Sequence, residues 1–182
     1  MTNESRLKIK YREEIIAKMK ESFGYANNLE VPKLEKIVVN IGLSKGLQDP
    51  KFLDVAEGTL KKITGQKPVK TLAKKSISNF KIRQGMPVGM VVTLRGTMMY
   101  DFLDKFINIT LPRVRDFRGI SPKFLDKDGN ISIGFKESIS FPEVKSEEIE
   151  KNHGLQITIK TTAKNKEKGL ALLKFFGFPF QN

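Results

Sequence analysis

Several segments of this chain alternate apolar and polar residues with the period of a β-strand, and helical patterns separate them irregularly. In Leu34–Leu43, for example, Ile37, Val39 and Ile41 share one face and leave the other mostly polar. A period of two places successive side chains on opposite faces of a sheet. Further strands are predicted at Val69–Ala73, Val88–Arg95, Ile131–Ile139 and Leu155–Thr162. This irregular mixture predicts an α+β fold with a mainly antiparallel sheet.

Four helices are predicted from apolar residues that recur at helical spacing. The first is Arg6–Phe23, and the second begins at Asp49-Pro50, which suit the N-cap and first helical position, and closes at Gly65. The remaining two predicted helices are Met98–Leu111 and Asn165–Phe176. Gly169 falls inside the last of them and is expected to weaken it by about 1 kcal/mol relative to Ala.

The composition is that of a chain with a hydrophobic core of its own. Of 182 residues, 39% are hydrophobic and none is cysteine, which excludes a disulfide framework and thiolate metal sites and fits a reducing compartment. No apolar run reaches the roughly 20 residues that cross a bilayer, and the N-terminus has no apolar signal core. We therefore expect a single domain over residues 1–182, located in the cytoplasm and not in a membrane.

The segment Gly58–Tyr100, called the basic segment below, contains nine lysine and arginine side chains and no aspartate or glutamate. The whole chain has a net charge of +13, so this segment supplies most of it. A concentrated positive electrostatic field attracts polyanions, and the commonest polyanion is nucleic acid. The alternative is an ordinary solvated basic surface, although solubility does not require the exclusion of carboxylates.

The outward faces of the predicted strands form a candidate contact surface of small and polar residues without a carboxylate. Phenylalanines of the same strands fall on the inner face, so little base stacking is expected. Amide, hydroxyl and ammonium groups suit the phosphates, 2′-hydroxyls and base edges of a folded RNA; an ordinary solvated sheet is the alternative. The face comprises Asn40, Gly42, Val91, Thr93, Arg95, Ser132, Gly134, Lys136, Gln156, Thr158 and Lys160.

A second candidate contact is the loop Lys74–Met86, which mixes positive charge, hydroxyl groups and glycine. Glycine lets a backbone approach a phosphate closely, and the cations would neutralise it. A loose hairpin with a mobile tip and no partner is the alternative reading of the same residues.

Patterns typical of enzymes are missing from the sequence. The only histidine, His153, is expected at the surface and has no catalytic partner in view. Asp126–Asn130 faintly resembles a calcium loop, but its glycine comes too early, so we predict a turn. No phosphate-binding or dinucleotide motif is present. An RNA-modifying or nucleotide-using enzyme therefore stays a second hypothesis without sequence support, and a general polyanion binder stays a third.

A series of short motifs follows in one order from about Arg6 to Phe180. They are Lys36–Gly42, Thr64–Val69, Ala73–Ser76, Arg83–Pro87, Thr93–Gly96, Leu111–Gly119, and Thr161–Ala163 with Phe176–Phe180. In this combination the chain resembles the ribosomal protein L5 family of the bacterial large subunit, which binds 5S ribosomal RNA. The resemblance implies an α+β fold with helices on one face of the sheet, an open RNA-binding face and long basic loops. It also implies a structural, non-enzymatic role in attaching 5S ribosomal RNA to the central protuberance.

The resemblance further assigns residues to three kinds of contact. For 5S ribosomal RNA it implies Asn40, Gln66 and Thr93, with Lys67, Lys74, Lys75, Ser76 and Arg95 close by. For a loop that faces peptidyl-site tRNA it implies Ser78, Asn79, Lys81, Arg83 and Gln84. For an inter-subunit bridge to a small-subunit head protein it implies Arg113, Arg115 and Arg118. Asn40, Thr93 and Arg95 also emerge from the strand alternation alone, whereas Gln66 comes only from the resemblance.

Other implied partners are 23S ribosomal RNA and the neighbouring proteins of the central protuberance; no cofactor, metal or small-molecule substrate is implied. Two positions depart from the family's usual residues. Ser44 replaces a common glycine, which leaves the turn after Gly42 open. Gln84 replaces a common glutamate and removes a negative charge from the tRNA-facing loop, which favours attraction to RNA there.

Overall fold

A computed structural model describes residues 4–43, 50–144 and 153–181. Its α-helices are α1 (Arg6–Lys10), α2 (Ile16–Phe23), α3 (Pro50–Thr64), α4 (Gly96–Lys105) and α5 (Lys166–Phe176). A π-helical segment, Tyr11–Ile15, joins α1 to α2 and gives the continuous first helix that was predicted. A second π-helical segment, Phe106–Thr110, extends α4. All four predicted helices are therefore present, although the predicted N-cap Asp49 and the position Ser44 lie outside the described residues.

The five strands form one antiparallel sheet, which confirms the predicted α+β class. They are β1 (Leu34–Gly42), β2 (Val69–Leu72), β3 (Pro87–Leu94), β4 (Ile131–Phe135) and β5 (Leu155–Thr161), in the order β2-β3-β1-β5-β4. All five strands end earlier than predicted, β4 by four residues and the others by one. Arg95 is the N-cap of α4 and lies outside β3, because the chain turns into the helix at Gly96. Lys136 lies outside β4, because a 3-10 helix forms at Ser138–Ser140.

The predicted inner faces of the strands are buried. Ile37, Val39 and Ile41 of β1 are fully buried, as are Ile157 and Ile159 of β5. The side chains between them on β1 and β5 are exposed or half-buried. On these two strands the alternation of residue types in the sequence therefore predicted correctly which side is buried.

His153 is buried, with 7% of its surface exposed, so the prediction of a surface histidine is wrong. Its ring meets the Phe52 ring edge-on, with 6.0 Å between the ring centroids. Such an edge-to-face contact favours a buried imidazole next to an aromatic residue. Nothing in the local sequence around His153 predicted a partner that lies so far away along the chain.

The chain divides into two compact units. The first comprises Met1–Ile37, Leu94–Ile133 and Thr158–Asn182, and the second comprises Val38–Thr93 and Gly134–Ile157. In the first unit the rings of Tyr11 and Phe176 stack with centroids 5.9 Å apart. The second has its own buried residues, among them Leu60, Ile63 and Met90. One domain over residues 1–182 stays a prediction.

The segment Asp126–Asn130 forms the predicted turn. The Asp126 carboxylate accepts hydrogen bonds from the backbone N–H of Asp128 (3.0 Å) and Asn130 (2.8 Å). Desolvation opposes ionisation of this carboxyl group, but the hydrogen bonds outweigh it and lower the pKa of Asp126 below its ordinary value. The Asp126 carboxylate therefore stabilises the turn through hydrogen bonds within it. Among the described residues, no cluster of three acidic or histidine side chains is suited to a metal ion.

Gly129 of this turn lies against Gly169 of α5. A Cβ atom added at Gly169 would lie 2.5 Å from the carbonyl oxygen of Gly129, closer than non-bonded atoms approach. Gly129 itself has a φ of +80°, and its carbonyl accepts a hydrogen bond from the Thr161 hydroxyl at 3.0 Å. The intrinsic helix preference for Ala at 169 is therefore opposed in the folded protein, because the turn occupies the space that the methyl group needs.

Candidate nucleic-acid interface

The second unit has an accessible face on its strands, where two of the predicted RNA contacts lie. Asn40 on β1 is exposed and Thr93 on β3 is half-exposed, while their neighbours Ile41 and Val92 are buried. The alternation within each strand directs the two polar side chains away from the core. Both side chains are therefore accessible to solvent.

Strand β2 adds residues to this face that the sequence did not predict. It pairs antiparallel with β3, so that Val69 lies opposite Val91 and Thr71 lies opposite Gly89. Paired residues of neighbouring strands project to the same side of a sheet. We call the set Asn40, Val69, Thr71, Gly89, Val91 and Thr93 the open face. Val69 and Thr71 were missed because a strand of four residues is too short for its alternation to reveal a direction.

The predicted contacts Gln66 and Lys67 lie on the exposed turn between α3 and β2. The Thr64 hydroxyl donates a hydrogen bond to the Leu60 carbonyl (2.7 Å) and accepts one from the Gln66 N–H (3.3 Å). These bonds close the helix and fix the backbone at Gln66, which leaves its side chain in solvent. Lys70, a little further on, forms an ion pair with Glu57 at 3.2 Å, so one cation of the basic segment is partly neutralised.

Residues 73–86 form a hairpin, which we call the basic hairpin. The Ala73 N–H donates to the Met86 carbonyl (2.8 Å), and Ile77 and Ile82 exchange two backbone hydrogen bonds (2.9 and 3.1 Å). Of the two forms predicted here, a loop or a loose hairpin, the structure therefore shows a hairpin with paired arms. All of its predicted RNA- and tRNA-facing side chains are exposed or partly exposed, namely Lys74, Lys75, Ser76, Ser78, Asn79, Lys81, Arg83 and Gln84.

Two features of the basic hairpin were not visible in the sequence. The Ser76 hydroxyl accepts a hydrogen bond from the Gln84 N–H at 2.9 Å, so this predicted contact also ties the two arms together. At the tip, Lys81 has the left-handed φ of +53°, and the neighbouring Phe80 ring is 67% exposed. Among the described residues, no carboxylate pairs with Lys74, Lys75 or Arg83, so their charge is available to a polyanion.

The first unit has polar strand residues of its own, and some of them interact with one another. The hydroxyl groups of Ser132 and Thr158 lie 3.0 Å apart. Lys160 forms an ion pair with Glu35 at 3.1 Å. None of the outward strand residues is itself acidic, as predicted, but the exposed Glu35 at the start of β1 pairs with one of them on the neighbouring strand β5.

Arg113, Arg115 and Arg118 lie in the first unit on the chain that follows α4, and all three are exposed. Leu111–Arg113 forms a 3-10 helix at the start of this stretch. At its end Ile120 hydrogen-bonds to the C-terminal chain through the Pro179 carbonyl (2.7 Å) and the Gln181 N–H (3.0 Å). The arginines thus project from a stretch that is fixed at both ends.

Two family models match the chain over most of its length. The model described as "Ribosomal protein L5" matches residues 27–83, and a second model, which describes the C-terminus of the same ribosomal protein family, matches residues 87–180. The chain belongs to the ribosomal protein L5 family. The two matched ranges together include the open face, the exposed arginines and the basic hairpin apart from its last three residues, 84–86.

Individual L5 relatives agree with the chain along nearly its whole length. The protein of Carboxydothermus hydrogenoformans is 54% identical over 175 residues, covering 96% of this chain and 98% of the relative. That of Geotalea uraniireducens is 55% identical over 178 residues, covering 98% and 99%. The Heliobacterium modesticaldum protein is 52% identical, covering 97% and 98%. Each is named "Large ribosomal subunit protein uL5".

The L5 family consists of structural proteins of the ribosome and not of enzymes, so the enzyme hypothesis is set aside. None of the helices in the described ranges has the length and apolar character to span a membrane. Of the predicted RNA contacts, the fold brings Asn40, Thr93 and the turn at Gln66 into one compact unit with the basic hairpin. Arg95 belongs to the other unit.

Proposed function

We propose that this protein is a structural component of the large ribosomal subunit that binds 5S ribosomal RNA across its open face and basic hairpin. The observation that carries the proposal is the accessibility of Asn40 and Thr93, in the same compact unit as Lys74 and Lys75 of the basic hairpin. Membership of the L5 family supports the ribosomal role. In this role the protein helps attach 5S ribosomal RNA to 23S ribosomal RNA and the proteins of the central protuberance.

Two kinds of side chain have different roles in RNA binding. The lysines of the basic hairpin neutralise phosphates and release counterions, which supplies affinity without discriminating between sequences. Asn40, Gln66 and Thr93 provide amide and hydroxyl groups that hydrogen-bond to 2′-hydroxyls and base edges in the wide minor groove of an RNA helix. The open face has no aromatic side chain, so it favours a folded RNA over a stacked single strand.

The cations at the tip of the basic hairpin and the three arginines after α4 are proposed to meet other partners in the ribosome. The tip of the basic hairpin, with Lys81 and Arg83, is proposed to reach peptidyl-site tRNA. Its Phe80 ring adds an apolar surface for a ribose or base. Arg113, Arg115 and Arg118 are proposed to meet a small-subunit head protein and form an inter-subunit bridge.

Filter binding with purified protein tests the proposal. We expect tighter binding to 5S ribosomal RNA than to an unrelated tRNA, and a loss of about fivefold to tenfold in 5S affinity for Asn40→Ala and for Thr93→Ala, because each removes a hydrogen bond. Thr97→Ala is the matched control, since Thr97 is an exposed threonine in the first turn of α4. Equal affinity for the two RNAs would contradict the proposal and favour a general polyanion binder.

A further inference from the structure

Gly89 of the open face is itself buried, and the absence of a side chain there leaves room for its neighbours. A Cβ atom at this position would lie 2.8 Å from the Thr71 Oγ1, 3.0 Å from the Ile41 carbonyl oxygen and 4.0 Å from the Asn40 Oδ1. The Thr71 hydroxyl therefore occupies the space that a side chain at 89 would fill. Two polar side chains from β2 and β1 thus converge over the backbone of β3.

A β-bulge lies beside this point in the pairing of β2 with β3. Thr71 pairs with Gly89, but the next residue, Leu72, pairs with Pro87, so Val88 has no partner of its own on β2. A bulge increases the local twist and changes the direction of nearby side chains. The same backbone stays tied to the neighbouring strand, because the Leu43 N–H donates to the Val88 carbonyl at 3.0 Å.

The two converging groups have unused hydrogen-bonding capacity. Within the described part of the chain, neither the Thr71 hydroxyl nor the Asn40 amide has a protein hydrogen-bond partner. Thr71 is half-buried and Asn40 is exposed, so both are accessible from the solvent side. Both oxygens lie beside the same residue, 2.8 and 4.0 Å from the position that a Cβ atom of residue 89 would take, so a group that approaches this residue from solvent meets both.

We propose that Thr71, Gly89 and Asn40 form a notch that receives a ribose 2′-hydroxyl of the bound RNA, with Thr71 as a further binding residue and Gly89 as a positioning residue. A hydroxyl both donates and accepts, so it satisfies a threonine hydroxyl and an asparagine amide together, whichever way the amide is turned. DNA has no such group at this place. The exposed Val69 and its partner Val91 flank the notch and suit the apolar edge of a sugar. This inference rests on the proposed binding of 5S ribosomal RNA.

Substitution of Thr71 tests the notch without disturbing the backbone. Thr71→Val keeps the shape of the side chain and removes the hydroxyl, and we expect a loss of about fivefold to tenfold in 5S affinity. Thr71→Ser retains the hydroxyl and is expected to bind within about twofold of the wild type, because the hydrogen bond is kept. Thr97→Val makes the same chemical change on α4 and is expected to bind like the wild type. Thermal unfolding of each variant verifies that it is folded.

A pool of 5S transcripts with scattered 2′-deoxy nucleotides provides the second readout. We expect at least one deoxy position that weakens binding to the wild type and has no effect on Thr71→Val, because the partner of that 2′-hydroxyl is gone. Unchanged affinity of Thr71→Val, or an unchanged interference pattern, overturns the notch while the proposed function stands. If the wild type itself does not prefer 5S ribosomal RNA to tRNA, both the notch and the proposed function fail.

Discussion

At the scale of single residues, tertiary packing at position 169 outweighs the intrinsic preference of a helix for Ala over Gly. Ala stabilises a helix interior relative to Gly by about 1 kcal/mol, yet a methyl group at 169 would collide with the Gly129 backbone. We expect Gly169→Ala to lower the free energy of unfolding by about 1–3 kcal/mol, the usual cost of an overpacked site. Urea denaturation of the purified variant measures this loss.

Gly58 is the matched control for that substitution. It also lies inside a helix, α3, but a Cβ atom there would meet nothing within 4 Å. Gly58→Ala is therefore expected to raise the free energy of unfolding by about 0.5–1 kcal/mol. If both variants were stabilised, the contact between Gly129 and Gly169 would have no energetic weight.

At the scale of elements, the basic hairpin depends on a side chain for part of its order. The Ser76 hydroxyl is the acceptor for the Gln84 N–H, and its removal leaves that amide to water. We expect Ser76→Ala to speed hydrogen exchange of the Gln84 amide by about fivefold to tenfold, as the loss of one hydrogen bond implies. NMR exchange measurements on the free protein test this.

Ser78→Ala provides the comparison within the same hairpin. No hydrogen bond from the Ser78 hydroxyl to the described residues is present, so exchange at Gln84 should stay at the wild-type rate. Equal rates in the wild type and in Ser76→Ala would mean that the backbone pairing of Ile77 with Ile82 alone orders the hairpin.

At the scale of the whole molecule, a net charge of +13 predicts a steep dependence of RNA affinity on salt. With about six phosphate contacts, the slope of log affinity against log salt is expected near −5. Replacing both Lys74 and Lys75 by Ala should make the slope shallower by about 2, roughly one for each lysine that no longer neutralises a phosphate. Binding assays across a salt series measure the slopes.

Two controls separate charge from hydrogen bonding in that experiment. Lys18 lies on α2 and pairs with Glu14 at 3.4 Å, so Lys18→Ala should leave the slope unchanged. Asn40→Ala should lower the affinity at every salt concentration with the same slope as the wild type, because an amide releases no counterions. If Lys18→Ala changed the slope as much as Lys74→Ala does, the protein would attract RNA diffusely and without a defined contact.

Structural features that depend on interactions within one segment of the chain were predicted correctly from the local sequence. Strand alternation predicted that Ile37, Val39 and Ile41 are buried and that Asn40 faces outward, because the period of two is a property of the strand itself. The first helix likewise ends at Phe23 as predicted, and Gly24, which follows it, has a φ of +68°. The concentration of positive charge between Gly58 and Tyr100 is present in the sequence before any folding.

Only the tertiary structure decided which distant residues meet. The pairing of Thr71 with Gly89, the contact of Gly129 with Gly169, the burial of His153 against Phe52 and the ion pair of Lys160 with Glu35 all join segments far apart in the chain. None of these pairs leaves a local periodic signal, because each depends on strand register and on how turns and helices pack. By itself the sequence determined the faces of the longer strands and the distribution of charge; the fold determined which polar groups converge on the open face, since convergence requires residues from three strands to be placed side by side.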